Sequence, residues 1–302
     1  MPAACGFLVL DKPAGPTSHG CVAAVRRCYG LRRVGHGGTL DPAVTGVLPI
    51  AVGSATRLLP YLSGSKAYRG IVQLGVSTSS DDLEGTVLER RNPPSLSIAA
   101  LEAALEPLRG PILQRPPQVS AVHVDGERAY VRARRGEAMA LEPRAVTVEL
   151  LRLLAWNPES GELEIEVRCS AGTYIRALAR DLGESLGCGG ALAKLRRTEA
   201  LGFDLLGAVP LESLDAGNPP PLRDPLEALG HLRRRRLTPE EMTPWSCGRP
   251  LAAEPQLAGA ALALPIEAQP VAILRPDGSL AGIAQGDPRG QLQPRLVFDA
   301  AG

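Results

Sequence analysis

Residues 162–187 read ELEIEVRCSAGTYIRALARDLGESLG. Leu163, Ile165, Val167 and Cys169 alternate with Glu162, Glu164, Glu166 and Arg168, which is the two-residue period of a strand with one buried and one wet face. Past Gly172 the period changes. Ile175, Leu178, Ala179 and Leu182 recur at the spacing of one helical face over residues 173–186, and Gly187 is suited to close that helix in a left-handed conformation. The chain shows neither the βαβ rhythm nor the G-x-G-x-x-G turn of a nucleotide-binding parallel sheet. This stretch therefore predicts an α+β fold.

The same reading extends outward. Residues 6–10 form a short apolar strand, closed by DKPAGP at 11–16. Thr17 or Ser18 can then cap a helix running to Tyr29, with Val22 and Val25 inward, Arg26 and Arg27 outward and Gly30 as its stop. Residues 69–76 and 86–89 read as strands around an Asp/Gly turn. A further helix opens at Ser95 or Ser97 and puts Ile98, Leu101, Leu105 and Leu108 on one face. Residues 114–130 have no helical period and include Arg115-Pro116-Pro117, which suggests a long functional loop. A linker-like Asn218-Pro219-Pro220-Pro221 follows. Beyond residue 237 the sequence turns Ala/Leu/Pro-rich, and residues 271–283 predict a hairpin around Asp277-Gly278. Two domains are expected, at 1–230 and 231–302, the second small and mostly β.

Composition narrows the class. Hydrophobic content of 44% and charged content of 22% over 302 residues are those of a soluble globular protein. No apolar run reaches the roughly 20 residues of a membrane span. No basic segment precedes an apolar stretch at the N-terminus, so a signal peptide is not expected and a cytoplasmic location is. The six cysteines (Cys5, Cys21, Cys28, Cys169, Cys188 and Cys247) include no C-x-x-C pair. Neither a zinc site nor a disulfide framework is expected, and the thiols read as small buried hydrophobes.

The net charge of +1 conceals a bias, because Lys12, Lys66 and Lys194 are the only lysines among 33 basic residues. A GC-rich genome can produce such a count. Arginine also suits phosphate and base edges better than an ammonium does. Basic residues gather at 26–33, 128–135, 168–197 and 233–236 while acids concentrate elsewhere, which points to a polyanion bound on one face.

Residues 34–46, VGHGGTLDPAVTG, set one imidazole and one carboxylate among glycines. Asp41 before Pro42 is biased towards extended geometry. The stretch is either a simple turn or a loop that presents a carboxylate while its glycines admit a ligand's backbone. His36 is correspondingly either a capped loop histidine or a flat wedge that stacks on a base. Tyr68, after Lys66, stands at the entrance of a strand. Arg176 follows Tyr174 at a helix N-terminus, where the helix dipole disfavours a cation. It calls for a carboxylate or phosphate partner.

Together these residues resemble a known family. GFLVLDKPAGPTSHG, the 34–46 stretch continuing to LLPYL, KAYRG, STSSDDLEG, RPPQVSAVHVDGERAYVRARRGE, CSAGTYIRALARDLG and LAKLRRT stand in the order and spacing of the TruB family of bacterial tRNA pseudouridine-55 synthases. The match covers roughly residues 6–214. LAGIAQGDPRGQLQPRLVF, near the C-terminus, is similar to that family's small PUA-like domain.

The resemblance implies the pseudouridine-synthase fold, with a mixed, mainly antiparallel central sheet flanked by helices and loops and a β-rich C-terminal PUA-like RNA-binding domain. It implies isomerisation of one uridine in the T-loop of tRNA without cofactor or metal. It makes Asp41 the carboxylate at C1′, with Arg176 lowering its pKa and aiming its oxygen. Tyr68 would lie against the uracil and serve C5 deprotonation, directly or through solvent. Tyr174 and Leu195 would line the base pocket, Asp82 would hold the surrounding network, and Lys12 would join the substrate-binding set. His36 would fill the space left by an extruded base.

Arg128, Arg132, Arg134 and Arg135 suit a flap that orders on the T-arm stem-loop of tRNA. A monomer is expected. Where the family has a lysine this chain has His123, so a phosphate contact there should be weaker or pH-dependent. With 3% aromatic residues, recognition should rely on RNA shape and backbone. The alternative is a non-catalytic tRNA-binding or tRNA-folding protein on the same fold, though such a protein has no need of Asp41, Tyr68 and Arg176 together. An acid/base hydrolase built on Asp41 and His36 would lack a second placed carboxylate.

Overall fold

A computed structural model describes residues 4–120, 122–124, 126–137, 139–252 and 269–298. Residues 253–268, which fall in the predicted C-terminal domain, and the side chain of Arg134 lie outside the described residues. The architecture is α+β: a large, mainly antiparallel sheet with helices against it, followed by a smaller β-rich unit.

The large sheet runs in the order Val209–Pro210, Gly6–Lys12, Thr45–Val52, Gly190–Ala200, Lys66–Leu74, Glu162–Cys169, Arg144–Asn157, Gly110–Gln114. Two contacts are parallel, Val209–Pro210 with Gly6–Lys12 and Thr45–Val52 with Gly190–Ala200. Short strands Val34–His36 and Phe203–Asp204 join its margins. The alternating stretch forms the strand Glu162–Cys169 and lies inside the sheet, its apolar residues 0–1% exposed. Its charged face carries cross-strand ion pairs, Arg152 with Glu166 and Arg168 with Glu199 at 2.6 Å.

The caps read from sequence form. Thr17 accepts from the Gly20 amide at the head of helix Ser18–Tyr29, and Gly30 closes it at φ +63°. Ser97 accepts from the Ala100 amide ahead of Ile98–Leu105. Two expectations are corrected. The Ile98–Leu105 helix has only two turns, so its buried stripe narrows to Leu101 and Leu105, and Ile98 is 55% exposed. The strand expected at 69–76 spans Lys66–Leu74 instead. Gly75 (φ +86°) turns the chain out of the sheet, and Val76–Thr78 pairs separately with Val87–Arg90. That hairpin places Asp81 and Asp82 beside Leu192 of strand Gly190–Ala200 and against the arginines of helix Ile175–Ser185.

The smaller sheet has the order Arg233–Arg236, Pro270–Leu274, Leu280–Gly286, Gln291–Val297, Leu251–Ala252. The predicted hairpin is present, its turn closed by the Gly278 amide donating to the Arg275 carbonyl. One face packs on Trp245 and Leu237. Ala272, Leu274, Ile283 and Leu296 on the other share a core with Phe7, Val9, Val47, Leu58 and Phe203 of the large sheet. The two sheets are thus joined by common apolar burial.

Helix Ile175–Ser185 seats on strand Gly190–Ala200 through glycine. A Cβ at Gly183 would stand 2.0 Å from the Gly190 amide nitrogen and 2.1 Å from the Gly189 carbonyl carbon. Backbone cannot give way as a side chain can. Gly183→Ala should therefore lower stability by at least about 2 kcal/mol in urea denaturation, and an unchanged unfolding midpoint would contradict this packing.

Candidate active site

Asp41 sits in a loop between strands Val34–His36 and Thr45–Val52, and several buried groups hold its backbone. Ser18 donates its hydroxyl to the Leu40 carbonyl at 3.0 Å and accepts from the Leu40 amide at 2.8 Å. Lys12, fully buried, donates to the carbonyls of Pro13, Pro42 and Val44 at 2.9, 3.0 and 2.7 Å. Burial pushes the Lys12 ammonium below its usual range, with Asp41 and Cys21 opposing that shift. Arg197, also 0% exposed, donates to Val47, Thr39 and Gly38 carbonyls at 2.7, 3.4 and 3.2 Å. Its chain passes so close that a Cβ at Gly46 (φ +102°) would meet the Arg197 carbonyl oxygen at 2.1 Å.

The carboxylate itself stays 47% exposed and meets Arg176, whose side chain is 8% exposed. Arg176 Nη2 lies 3.0 Å from Asp41 Oδ2, and Nη1 lies 3.4 Å from Asp82 Oδ2. The guanidinium also donates to the Ser80 and Val119 carbonyls, both at 2.9 Å. A cation at a helix N-terminus is here offset by two carboxylates and two carbonyls. Asp82 is itself fixed by the Ser80 hydroxyl at 2.5 Å and the Glu84 amide at 3.2 Å.

Asp41, Tyr68, Tyr174, Leu195, Arg128 and Arg176 all line one cleft of about 520 Å³. A second hollow of about 430 Å³ adjoins it and brings in Asp82. Tyr68 is buried near the Arg197 guanidinium. Burial pushes the phenol above its usual range, although Arg197 pulls the other way. Tyr174 is placed through its backbone: the buried Gln114 side chain accepts from its amide at 2.8 Å and donates to its carbonyl at 3.1 Å.

His36 ends the strand Val34–His36 just outside that lining, and its Nδ1 accepts from the Gly38 amide at 3.3 Å. His19 meets it edge to face, with ring centroids 5.4 Å apart. Burial pushes the His36 imidazole down, and His19 and Arg197 push the same way, so the neutral ring is favoured.

Three expectations change. Lys12 is not open to a ligand, because it is buried with its ammonium on three carbonyls, and it holds the Asp41 loop. The stretch 168–197 is not an unpaired basic patch. Its arginines meet acids distant in sequence: Arg168 with Glu199, Arg176 with Asp41, Arg180 with Asp81 and Arg196 with Asp11. In 233–236, Arg235 is buried and forks onto Glu241 at 2.6 and 3.0 Å. Along the expected flap, Arg128 and His123 are exposed, while Arg132 and Arg135 both pair with Glu137.

Sequence reasoning missed Ser18, His19, Gln114 and Arg197 as parts of the site. Arg197 stands between Arg196 and Thr198 and Gln114 between Leu113 and Arg115, so no local pattern distinguished any of the four.

This geometry can be set beside known proteins. Residues 26–175 match the TruB family pseudouridylate synthase N-terminal domain, and residues 176–219 match the tRNA pseudouridylate synthase B C-terminal domain. The chain belongs to the TruB family. It is 62% identical to tRNA pseudouridine synthase B of Parasynechococcus marenigrum (strain WH8102), over 98% of both chains. To the protein of that name in Synechococcus sp. (strain WH7803) it is 58% identical, over 100% of both.

Among solved structures, one of an H/ACA RNP bound to a substrate RNA containing 2′-deoxyuridine superposes with TM-score 0.68. It covers 97% of this chain and 84% of that one, and its 22% identity speaks to the fold. A Cbf5-Nop10-Gar1 complex gives TM-score 0.66 at 26% identity, covering 93% of this chain and 78% of that one. Among the described residues no helix is long and apolar enough to cross a membrane.

The loop's dependence on Lys12 can be measured. Lys12→Met keeps the apolar stem but removes three charged hydrogen bonds, with the Pro42 carbonyl keeping only the Gly15 amide, and bonds from a charged donor are worth about 1.5–3 kcal/mol each. The variant should lose at least about 2 kcal/mol of unfolding free energy. Full stability would show that the Asp41 loop stands without the ammonium.

Proposed function

We propose that this protein converts uridine-55 in the T-loop of tRNA to pseudouridine, with Asp41 as the nucleophile. The observation that carries this reading is Asp41 held by Arg176 at 3.0 Å inside a cleft that Tyr68 and Leu195 also line. A uridine in a folded loop must be extruded to reach such a cleft, at a cost of a few kcal/mol. The flat, neutral His36 ring beside the cleft suits the vacated stack.

Asp41 then attacks C1′ as the N1–C1′ bond breaks, and the uracil keeps the bonding pair as an anion. The base rotates and C5 attacks C1′, which releases the carboxylate. The C5 proton finally leaves and N1 gains one, so the isomerisation balances without any co-reactant. Arg176 keeps the Asp41 carboxylate aimed, and Leu195 and Tyr174 confine the base. Exposed Arg128 is placed for a backbone phosphate, where grip should weaken with salt. Residues 231–302 fit an RNA-binding PUA-like domain whose arginine-bearing strand adds to that grip.

The decisive variant is Asp41→Asn, incubated with a T-arm hairpin and mapped for pseudouridine. Removing a nucleophile from a group that acts as a unit should cut turnover by at least about 1000-fold, while hairpin binding persists. Undiminished turnover would refute the assignment, and binding without turnover in the unaltered protein would favour the non-catalytic RNA-folding reading.

Tyr68 gives a second test. Burial raises its pKa, so the hydroxyl is protonated at neutral pH and its ionised fraction grows about tenfold per pH unit. If C5 deprotonation passes through solvent, with Tyr68 only seating the ring, the single-turnover rate should stay flat from pH 7 to 9. A tenfold rise per unit would assign the proton to the tyrosinate.

A further inference from the structure

Arg180 follows Arg176 by one helical turn on Ile175–Ser185, so the two side chains leave the same face. Arg176 takes Asp41 and Asp82. Arg180 takes the next aspartate: its Nη1 lies 2.8 Å from Asp81 Oδ2, and Nε and Nη2 hold Asp181 Oδ1 at 2.9 and 2.8 Å. Nη2 also donates to the Arg115 carbonyl at 2.9 Å. Two arginines on one helix thus grip two adjacent aspartates. They also grip two carbonyls, Arg115 and Val119, at the root of the 115–137 segment.

Asp81 holds a left-handed backbone at φ +61°, a region that aspartate and asparagine enter more readily than other non-glycine residues, at a cost its surroundings must offset. Its side chain is 13% exposed. Its carbonyl accepts from the Leu192 amide at 2.9 Å, and the Leu83 amide donates to the Leu192 carbonyl at 3.0 Å, so the turn is stitched to the strand that bears Leu195. Arg180 is not among the residues lining either hollow that holds Asp41. Beyond the helix it shares with Arg176, its contacts with the site among the described residues run through the turn and the segment root.

We propose that Arg180 is a positioning residue for pseudouridine formation, whose guanidinium fork holds the left-handed Asp81 turn and locks it to the Arg115 carbonyl, thereby fixing the partners that aim Arg176 at Asp41. The inference rests on the function proposed above for the cleft. The competing role is charge neutralisation alone, in which any cation beside buried Asp81 would serve. Arg180→Lys separates the two, because it keeps the charge while one ammonium cannot span Asp81, Asp181 and the Arg115 carbonyl together.

The variant is assayed on a T-arm hairpin beside the unaltered protein, and both proteins are followed by amide hydrogen exchange without RNA. Arg180→Lys should stay folded and lose about tenfold in kcat, with KM changed by less than about threefold. Exchange at the Leu83 and Leu192 amides should quicken. Unchanged kcat, or unchanged exchange at those amides, would overturn the proposal. If the unaltered protein makes no pseudouridine, the functional reading fails by itself and the exchange data still decide what Arg180 does. If the lysine variant does not fold, Asp81→Asn, which tolerates the left-handed turn but weakens the grip on Arg180, should show the same faster exchange, and normal exchange would refute the role.

Discussion

A half-exposed carboxylate cannot be held in place by its own burial, so its backbone must be held instead. The loop carrying Asp41 leaves the sheet, and its carbonyls lose their ladder partners; each one buried without a donor would cost about 1–3 kcal/mol. Lys12 and Arg197 meet four of these acceptors between them, Pro42 and Val44, and Gly38 and Thr39, and also reach Pro13 and Val47 on the flanking segments. Neither cation is spent on a carboxylate. Positive charge therefore stays beside the loop, close enough for Asp41 to oppose the lowering of the Lys12 pKa. The tight passage of Arg197 behind Gly46 and the seating of Tyr68 on Arg197 follow from the same arrangement.

Charge reads differently along the chain and in space. By sequence, residues 168–197 look like a basic run awaiting a polyanion. Folding brings Glu199, Asp41, Asp81 and Asp11 onto its arginines, the last two from strands and turns more than ninety residues away. Sheet order explains this. Gly190–Ala200 lies between Thr45–Val52 and Lys66–Leu74, so chain segments far apart in sequence become immediate neighbours. Cations that keep open access are then fewer than the count suggests, with exposed Arg128 at the cleft the clearest case.

That contrast marks what the sequence could disclose. Strand Glu162–Cys169, helix Ser18–Tyr29 with its Thr17 and Gly30 caps, and the 270–286 hairpin are local patterns, and each was legible because its period or its turn residues lie within a dozen positions. The pairing of Asp41 with Arg176 could be anticipated because an arginine at a helix N-terminus demands a partner. The groups that hold the site in place were not legible. Ser18 clasps Leu40 and Gln114 clasps Tyr174 through main-chain atoms, which carry no residue identity to recognise in a sequence. Lys12 could not be separated from a ligand-binding lysine, since only its complete burial shows where the ammonium goes.

The two halves of the site are restrained unequally. Arg176 is gripped on several sides, by the Ser80 and Val119 carbonyls and by Asp82, within a helix pressed against the sheet. Asp41 has a firmly held backbone, but among the described residues its carboxylate meets a single partner, through Oδ2. Among the described residues Oδ1 has no protein partner, and the residue lines the cleft. For the proposed attack on C1′ the asymmetry is useful: the anchored oxygen keeps the charge oriented, while the other can close on a sugar carbon without first breaking a hydrogen bond. A second protein donor on Oδ1 would have to be displaced in the transition state, and its strength would add to the barrier. The arrangement therefore concentrates rigidity in the arginine and in the loop backbone, and leaves freedom only at the reacting atom.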